Sequence, residues 1–585
     1  MKRVILILIW LIITIVFAHA EVRAVWVTPW DLDTPAKCDK VIQKMKTAHQ
    51  NQILAEVRYR SDALYIPNKT DNTYPNPDPR CYIVKDPSFD ALQYLIDHAK
   101  PENIEVHAWL VIMAACTIHT SLQSRDHLYF QHPEWFTWGT NGRMREAEGS
   151  MGIFIDPGIP QVQEYLVNVV RDIVVNYPEL DGIHLDYIRY PGRQYGKNPT
   201  AVELYRNETD VDTPQAWQNW RRQQINHIVE RMYAEIKSLS PGMQLTAAVI
   251  ANYSEAYNDY AQDWKQWLDG GYIDRVYLMA YTVNDLTMDK LLQKTLSFNH
   301  KDKTVIGLRA WVESGYYPIS KILSKLYLVR DYGFAGNALF SFQGLCQNGY
   351  WNDLIEGYYT KDADIPSLPT QTQNIIFGYV TDTDSIPYAS ATLRINETGV
   401  ETRSDINGYY AFTNLPEGYF HMDVETDGIT MHLDNLKVDN SKPVTKQNIV
   451  LKPETVASLP APAVADTMSV SLVSGGTDKQ TEAELISKPE SILDFTINTL
   501  ADTAGVVIII RNPCEQLITW YVEDTKGKVL YSKQNNYSQG EIVESWRGYT
   551  AEGNVLPTGI YKIVAVAESN NEQVYKSVFL NRKTN

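Results

Sequence analysis

The 585-residue sequence lacks several features that would place it in a common class of protein. Its five cysteines, at positions 38, 81, 116, 346 and 514, are odd in number, scattered and without a Cys-x-x-Cys pair, so we expect neither a disulfide scaffold nor a cysteine-ligated metal site. Excess positive charge is also missing: the net charge is −17, which argues against nucleic acid and anionic membrane surfaces as partners. The chain is 44% hydrophobic and long enough for about four globular domains.

The amino-terminal segment predicts export. Lys2 and Arg3 precede an apolar run over residues 4–18, and Ala18-His19-Ala20 has the small-x-small form of a signal peptidase site. The run is shorter than the ~20 residues that span a bilayer, so we expect no transmembrane anchor after cleavage. The mature chain should begin at Glu21 and be periplasmic, at the cell surface or secreted.

Residues 22–342 alternate short β-branched runs with amphipathic stretches, which is typical of βαβ units and a parallel sheet. Eight strands are predicted, over residues 22–28, 52–59, 105–113, 182–188, 244–250, 275–281, 304–310 and 337–342. Eight such units in roughly 320 residues predict a (β/α)8 TIM barrel of α/β class. A doubly wound sheet is the rival, but no glycine-rich phosphate turn follows the first strand.

The rest of the chain is predicted to form two small all-β sandwich domains joined by linkers. After a signal peptide (1–20) and the barrel (21–362), a proline-punctuated linker covers 363–373 and a β-sandwich covers 374–452. A flexible linker rich in Ala, Ser, Thr and Pro follows over 453–491, and β alternation returns over 492–585.

Alternation along each strand fixes which side chains point into a closed barrel, and strand carboxyl ends line its mouth. Counting this way nominates groups from five of the strands: Glu56 and Arg58, His107 and Trp109, His184 and Asp186, Tyr277 and Tyr281, and Arg309 with Trp311 just beyond it. A purely structural interior would favour Val, Ile and Leu. The polar set therefore indicates a functional mouth.

Asp186 stands out because a carboxylate at an apolar strand end is costly to bury unless it is paired or used in chemistry. A salt bridge to Arg189 is the structural alternative. Glycoside hydrolysis would need two carboxyl groups, and the second is left open. Glu56 is either a catalytic acid or an ion-pair partner, Asp62 is either catalytic or a partner of the neighbouring arginines, and Glu255 and Glu313 are weaker candidates.

Tryptophans near strand ends and loops, among them Trp26, Trp30, Trp109 and Trp311, could stack on the apolar faces of sugars or pack in the core.

Six segments occur in an order that resembles the bacterial glycosyl-hydrolase-like family ten. They are 21–28 (EVRAVWVT), 57–65 (VRYRSDALY), 107–109 (HAW), 156–160 (DPGIP), 181–191 (DGIHLDYIRYP) and 220–222 (WRR). The resemblance implies a glycoside hydrolase-like barrel acting on glycans, with peptide-free peptidoglycan strands as one substrate class. It implies a catalytic carboxylate at Asp186 and substrate-lining roles for Arg58, His107, Trp109 and Tyr281. Many members carry two adjacent aspartates where this chain has Asp186-Tyr187.

The tail segments carry resemblances of their own. Residues 378–419 look like a carboxypeptidase-regulatory-like sandwich, and residues 546–561 look like the immunoglobulin-like repeat of flagellar hook-capping proteins. Both resemblances imply attachment to the cell surface or envelope rather than catalysis.

We therefore predict an exported glycoside hydrolase with a glycan substrate and no cofactor or metal. Asp186 and Glu56 are the predicted catalytic pair, and the predicted substrate-binding residues are Arg58, Asp62, His107, Trp109, His184, Arg189, Tyr281, Arg309 and Trp311. His184 has an alternative as a hydrogen-bonded wall residue. One alternative function is a non-catalytic glycan-binding protein. Another is a metal-dependent deacetylase with His107, His184 and Asp186 as ligands, although no His-x-x-x-His spacing supports it.

Overall fold

The computed structural model describes residues 20–117, 124–142, 151–209, 211–312, 317–368 and 374–451, the last range without 384, 406, 427–428 and 440–442, and most strand residues between 494 and 580. The predicted signal peptide, Glu313 and the linker over 453–491 lie outside the described residues.

Eight parallel strands close into a barrel, as predicted. Numbered in chain order with two short strands that lie outside the barrel, they are β1 (Val22–Val27), β2 (Gln52–Arg58), β3 (Glu105–Val111), β4 (Ala114–Cys116), β5 (Ile153–Phe154), β6 (Gly182–Asp186), β7 (Gln244–Ile250), β8 (Arg275–Met279), β9 (Thr304–Arg309) and β10 (Gly336–Phe340). The order around the barrel is β1-β10-β9-β8-β7-β6-β3-β2, and β4 pairs only with β5. Every predicted barrel strand is found with its ends within two residues.

Twelve α-helices are found among the described residues. They are α1 (Pro35–Thr47), α2 (Ala91–Ala99), α3 (Leu128–Gln131), α4 (Pro160–Asn176), α5 (Pro199–Glu208), α6 (Pro214–Leu239), α7 (Tyr253–Asp259), α8 (Trp264–Asp269), α9 (Asp285–Leu296), α10 (Ile319–Tyr332), α11 (Phe342–Gln347) and α12 (Trp351–Gly357). Four of them begin with proline, whose missing N–H costs nothing at that position. None of the helices described is long and apolar enough to cross a bilayer.

The barrel interior is filled by side chains rather than open. Its buried core includes Val22, Ala24, Trp26, Leu54, Trp109, Ala248, Tyr277, Val305, Ala335 and Ala338. The largest of these, Trp26, crosses the interior toward β9, where Gly307 makes room for it: a Cβ on Gly307 would lie 2.8 Å from the indole. Because the centre is packed in this way, a ligand could bind only at an end of the barrel.

The amino-terminal end of the barrel is tied to the segment that follows the last helix. The backbone N–H of Glu21 donates to the carbonyl of Asp364 at 2.8 Å, and a guanidinium N–H of Arg275 donates to the carbonyl of Pro366. Between them Ile365 packs against the barrel core. The first residues of the predicted linker 363–373 are therefore part of this end of the barrel.

The remaining strands form small antiparallel and mixed sheets. They are β11 (Asn374–Thr381), β12 (Thr392–Ile395), β13 (Glu401–Arg403), β14 (Tyr409–Leu415), β15 (Gly418–Thr426), β16 (Ile429–Val438), β17 (Val444–Lys446), β18 (Ile449–Val450), β19 (Asp494–Asp502), β20 (Gly505–Asn512), β21 (Gln516–Glu523), β22 (Val529–Tyr537), β23 (Gly540–Trp546), β24 (Gly559–Ala567) and β25 (Glu572–Leu580). The sheet orders are β14-β11-β17 with β18 beside β11, then β13-β12-β15-β16, β19-β20-β23 and β22-β21-β24-β25. These sheets confirm the predicted all-β regions after the barrel.

The chain divides into two compact units. The first comprises residues 1–377, 411–420 and 435–447, and the second comprises the rest. Within the first unit, Lys446 Nζ on β17 lies 2.9 Å from Glu235 Oε2 on α6. The Glu235 carboxylate is fully buried and also pairs with Arg171 of α4.

Candidate active site

Two buried carboxyl groups lie at the mouth of the barrel. Asp186 ends β6 and Glu56 lies near the end of β2, with β3 between them in the barrel wall. Their exposures are 6% and 5%, and the two carboxyls interact electrostatically. The structure thus brings together the predicted pair, at the end of the barrel where TIM-barrel enzymes carry out their chemistry.

The Asp186 carboxylate is held by two N–H donors. The indole Nε1–H of Trp109 on β3 donates to Oδ2 at 3.2 Å, and the backbone N–H of Tyr187 donates to Oδ1 at 2.6 Å. Burial raises the pKa of Asp186, but the Arg189 charge, these two donors and Arg60 all act in the opposite direction. These groups offset only part of the effect of burial, so the pKa of Asp186 is raised on balance.

Glu56 has a different environment. Among the described residues its side chain forms no hydrogen bond, so no donor stabilises a negative charge on it. Burial and the neighbouring Asp186 raise the pKa of Glu56 well above its usual range, and Arg60 alone opposes them. Glu56 is therefore the carboxyl that keeps its proton, while Asp186 is the better candidate for the ionised group.

Aromatic rings surround the pair. Tyr281 follows β8 and packs edge-on against Trp311 at 5.0 Å and Trp26 at 6.4 Å between ring centroids. Phe340 at the end of β10 contacts Tyr281, Trp311 and Trp109 with centroids 5.6 to 6.2 Å apart. The mouth therefore offers the flat apolar surfaces on which sugar rings stack.

A second aromatic pair, Trp30 and Tyr59, lies just beyond the ends of β1 and β2. Trp30 follows β1, is exposed, and packs edge-on against Tyr59 at 5.3 Å, just beyond the end of β2.

Arg189 and Arg309 lie at or just beyond strand ends at the mouth. Arg189, only 5% exposed, lies over the rings of Tyr187 and Tyr260 at 4.6 and 5.1 Å. Arg309 donates from Nε to the Trp311 carbonyl at 2.9 Å and lies 4.8 Å from the Trp311 ring. Arg189 therefore acts on Asp186 directly, whereas Arg309 contacts Trp311, which packs against Tyr281.

Arg60 belongs to the site although the sequence did not single it out. Its turn is closed by two backbone hydrogen bonds between Tyr59 and Asp62, of 2.9 and 3.2 Å. The two central residues, Arg60 and Ser61, have φ of 57° and 64°. Positive φ at both central positions is characteristic of a type I′ turn. The turn directs the guanidinium to the Met151 carbonyl and close enough to both carboxyls to act on them.

Tyr187 and Phe340 are the other residues that sequence reasoning missed. Phe340 is an inward residue at the end of the last strand, so the alternation rule could have found it. Tyr187 follows Asp186 directly, and its φ of 52° gave no signal in the sequence because this conformation is rare for a bulky side chain.

Arg58 does not reach the mouth. The pairing of β2 with β3 shifts register between Glu56 and Arg58, so the two side chains no longer share a face. Arg58 is fully buried, with Nε 2.6 Å from Asp78 Oδ2 and another guanidinium nitrogen donating to Tyr165 on α4. The structure corrects the predicted substrate contact to an internal ion pair with Asp78, in the segment after β2, and a hydrogen bond to α4.

Asp62 is likewise buried, at 1% exposure, and Arg58 pairs with Asp78 instead of with it. Its Oδ1 lies 3.9 Å from His127 Nε2, and its Oδ2 is without a hydrogen bond. Burial and the nearby Asp78 raise the pKa of Asp62 to about 8. The side chain lies behind the turn that carries Arg60 and offers no surface to a substrate.

The two predicted histidines lie below the mouth. His107 is fully buried, with Nε2 3.1 Å from Gln52 Nε2 and 3.2 Å from Glu105 Oε2, at the amino-terminal end of the barrel. His184 accepts from Trp26 Nε1 at 3.1 Å and has Nδ1 2.9 Å from Thr246 Oγ1, and burial moves its pKa well below the usual range. Both are corrected from substrate contacts to wall residues.

Within the residues that the structure describes, no three His, Cys, Asp or Glu side chains converge in a way that could hold a metal ion. Glu255, at the start of α7, is exposed.

Comparison with known proteins connects this geometry to a family. The family model described as Glycosyl hydrolase-like 10 matches residues 21–316. The chain is 24% identical over 398 residues to the glycosyl hydrolase YngK of Bacillus subtilis, covering 60% of this chain and 74% of that one. It is 28% identical over 226 residues to the glycosyl hydrolase DigH of Escherichia coli, covering 34% and 48%. The glycoside hydrolase domain of PgaB from Bordetella bronchiseptica aligns at 13% identity with a TM-score of 0.46, covering 59% of this chain and 100% of that domain.

Proposed function

Because the chain belongs to the glycosyl hydrolase-like 10 family, we propose that it is a glycoside hydrolase that cleaves glycosidic bonds in a polysaccharide or cell-wall glycan. Peptide-free peptidoglycan strands are the first substrate class to test. The proposal covers catalysis itself, which membership of the family leaves open.

The observation that carries the proposal is the unlike surroundings of two neighbouring buried carboxyls. Glycosidases need one carboxylic acid that protonates the leaving oxygen and one carboxylate that attacks the sugar or activates water. Glu56, with a raised pKa and no hydrogen-bond partner in the described residues, supplies the acid. Asp186, held by Trp109 and the Tyr187 backbone, supplies the carboxylate.

The remaining mouth residues support the same activity. Tyr281, Trp311 and Phe340 form an aromatic surface beside the carboxyls, and Trp30 offers a further exposed ring. Aromatic faces give sugar rings a large contact area at little cost in entropy. The chemistry needs no metal, because both the proton and the negative charge come from side chains.

The test is release of reducing ends from a panel of glycans that includes peptide-free peptidoglycan, measured with and without a chelator. Activity that survives the chelator and is lost in the Asp186→Asn variant supports the proposal. Tight binding of a glycan without cleavage would favour a glycan-binding protein instead, and activity lost only with the chelator would favour metal-dependent chemistry.

We also propose that the protein is exported and that its β domains attach it to the cell surface or envelope. The support is the apolar run over residues 4–18 with its Ala18-His19-Ala20 site. Mass spectrometry of the exported protein should find an amino terminus at Glu21. An intact Met1 on the folded, exported protein would contradict the proposal.

A further inference from the structure

Tyr187 has a backbone conformation that costs free energy. Its φ of 52° lies in the left-handed region, where a bulky L-residue is a genuine outlier. Such strain persists only where the surroundings hold it, and it concentrates at functional sites. The residue follows Asp186 directly, so the strain lies beside the proposed catalytic carboxylate.

Several contacts fix the residue in this conformation. Its N–H donates to Asp186 Oδ1 at 2.6 Å, and its carbonyl accepts from the N–H groups of Arg189 at 2.9 Å and Met113 at 3.3 Å. Its ring lies 5.9 Å from that of Phe154, with the Arg189 guanidinium 4.6 Å from the ring centroid. The position of the ring is therefore determined by backbone and side-chain contacts together.

The Tyr187 ring packs against Phe154 on β5, in the segment after β3, and against Arg189, in the segment after β6. The charges of Asp186 on β6 and of Glu56 on β2 both act on the phenol, and it acts in turn on Tyr281, which follows β8. Strands β2 and β8 are on opposite sides of the barrel, separated by three strands in either direction. The phenol is therefore near enough to groups from both sides of the mouth to interact with them electrostatically.

The hydroxyl of Tyr187 makes no hydrogen bond to another residue in the part of the chain described. Burial and Asp186 raise the pKa of this phenol, with Arg189 and Arg60 opposing. The group therefore stays protonated near neutral pH. It is an O–H donor near Asp186 and Glu56 with no acceptor among the residues that the structure describes.

We propose that Tyr187 contacts the substrate directly, its hydroxyl donating a hydrogen bond to an oxygen of the sugar held between Glu56 and Asp186. This inference rests on the proposed function and deepens it, because it names a third substrate-contacting group beside the two carboxyls. The left-handed backbone of Tyr187 departs from strand alternation, under which its ring would point away from the face that carries Asp186.

The test is the Tyr187→Phe variant, which removes the hydroxyl and keeps the ring, the backbone and the Arg189 contact. Its matched control is Tyr260→Phe, because the Tyr260 ring also lies against Arg189, at 5.1 Å. We expect kcat/KM on a glycan that the wild type cleaves to fall about tenfold in Tyr187→Phe, the upper end of the effect of one neutral hydrogen bond. Tyr260→Phe should stay within twofold of wild type, and both variants should keep the wild-type Tm.

A binding measurement separates substrate contact from an indirect effect on the carboxyls. In an Asp186→Asn background, which binds without cleaving, Tyr187→Phe should weaken the Kd for the uncleaved oligosaccharide by about the same factor. If the wild type cleaves a glycan while Tyr187→Phe keeps both kcat/KM and Kd within twofold, the Tyr187 proposal is overturned and the proposed function stands. If the wild type neither binds nor cleaves any glycan of the panel, both fall together.

Discussion

Asp186→Asn is the substitution that most directly tests the proposed chemistry. It removes the negative charge while keeping the size of the side chain, and a nucleophile or base without that charge cannot stabilise an oxocarbenium-like centre or activate water. We expect turnover to fall at least ~10³-fold, which corresponds to roughly 4 kcal/mol of activation free energy.

The structure also predicts the effect on folding. An asparagine at 186 retains one acceptor oxygen, so only one of the N–H donors from Trp109 and Tyr187 keeps its partner, and the other faces an amide NH2. An unsatisfied buried donor costs about 1 to 3 kcal/mol. Loss of the buried charge acts in the opposite direction. The two effects oppose each other, so we expect a Tm close to that of the wild type.

The same variant should change the behaviour of Glu56. Asp186 raises the pKa of Glu56, so removing its charge should lower that pKa and move the basic limb of the residual pH-rate profile to lower pH. Reducing-end assays across pH and thermal unfolding measure all three effects, with the exposed Asp126→Asn as a matched control. Near-native hydrolysis of a verified substrate by Asp186→Asn would refute the catalytic assignment.

Three further outcomes are expected. Glu56→Gln should lower turnover by ~10² to 10⁴-fold and abolish the basic limb of the pH profile, whereas the exposed Glu255→Gln should change neither; equal effects would remove Glu56 from the mechanism. The pKa of Asp62 is about 8 in the folded protein, above its unfolded value. Between about pH 4 and about pH 8 the folded protein therefore binds a proton that the unfolded chain has lost, and the free energy of unfolding falls as pH rises. Asp62→Asn should therefore raise Tm at pH 8 more than at pH 5, and an equal shift at both would contradict this. A barrel ending at residue 368 should unfold at a higher Tm than one ending at 362, because residues 363–366 are hydrogen-bonded and packed at the amino-terminal end of the barrel; equal Tm values would contradict that role.

The barrel could be predicted from the sequence because its signals are local. A strand buried on both faces is a short β-branched run, and each of the eight runs became a strand. The part of the barrel after residue 362 was not predicted, because residues 363–373 read as a proline-punctuated linker. Their hydrogen bonds are made by backbone carbonyls, to the side chain of Asn51 and the guanidinium of Arg275, and carbonyl contacts leave no pattern in side-chain composition.

The site was predicted as far as strict alternation holds. Asp186 and Trp109 follow the rule, and the structure joins them by a hydrogen bond. Arg58 departs from it because β2 shifts register, and nothing in the local sequence marks that shift. Tyr187 and Arg60 were missed for a related reason: both depend on positive φ at residues that seldom adopt it.

The register shift in β2 bears directly on the proposed division of labour between the two carboxyls. Under regular alternation the guanidinium of Arg58 would lie on the inward face next to Glu56. A neighbouring cation would lower the pKa of Glu56 and favour its ionised form. The structure instead turns Arg58 outward to Asp78 and Tyr165, and Arg60 is the cation left to act on Glu56. An acid catalyst must keep its proton until it meets the leaving oxygen, and the shift removes the charge that would have taken that proton away. The irregularity that hid the arrangement from sequence reasoning thus supports the proposed role of Glu56 as the acid.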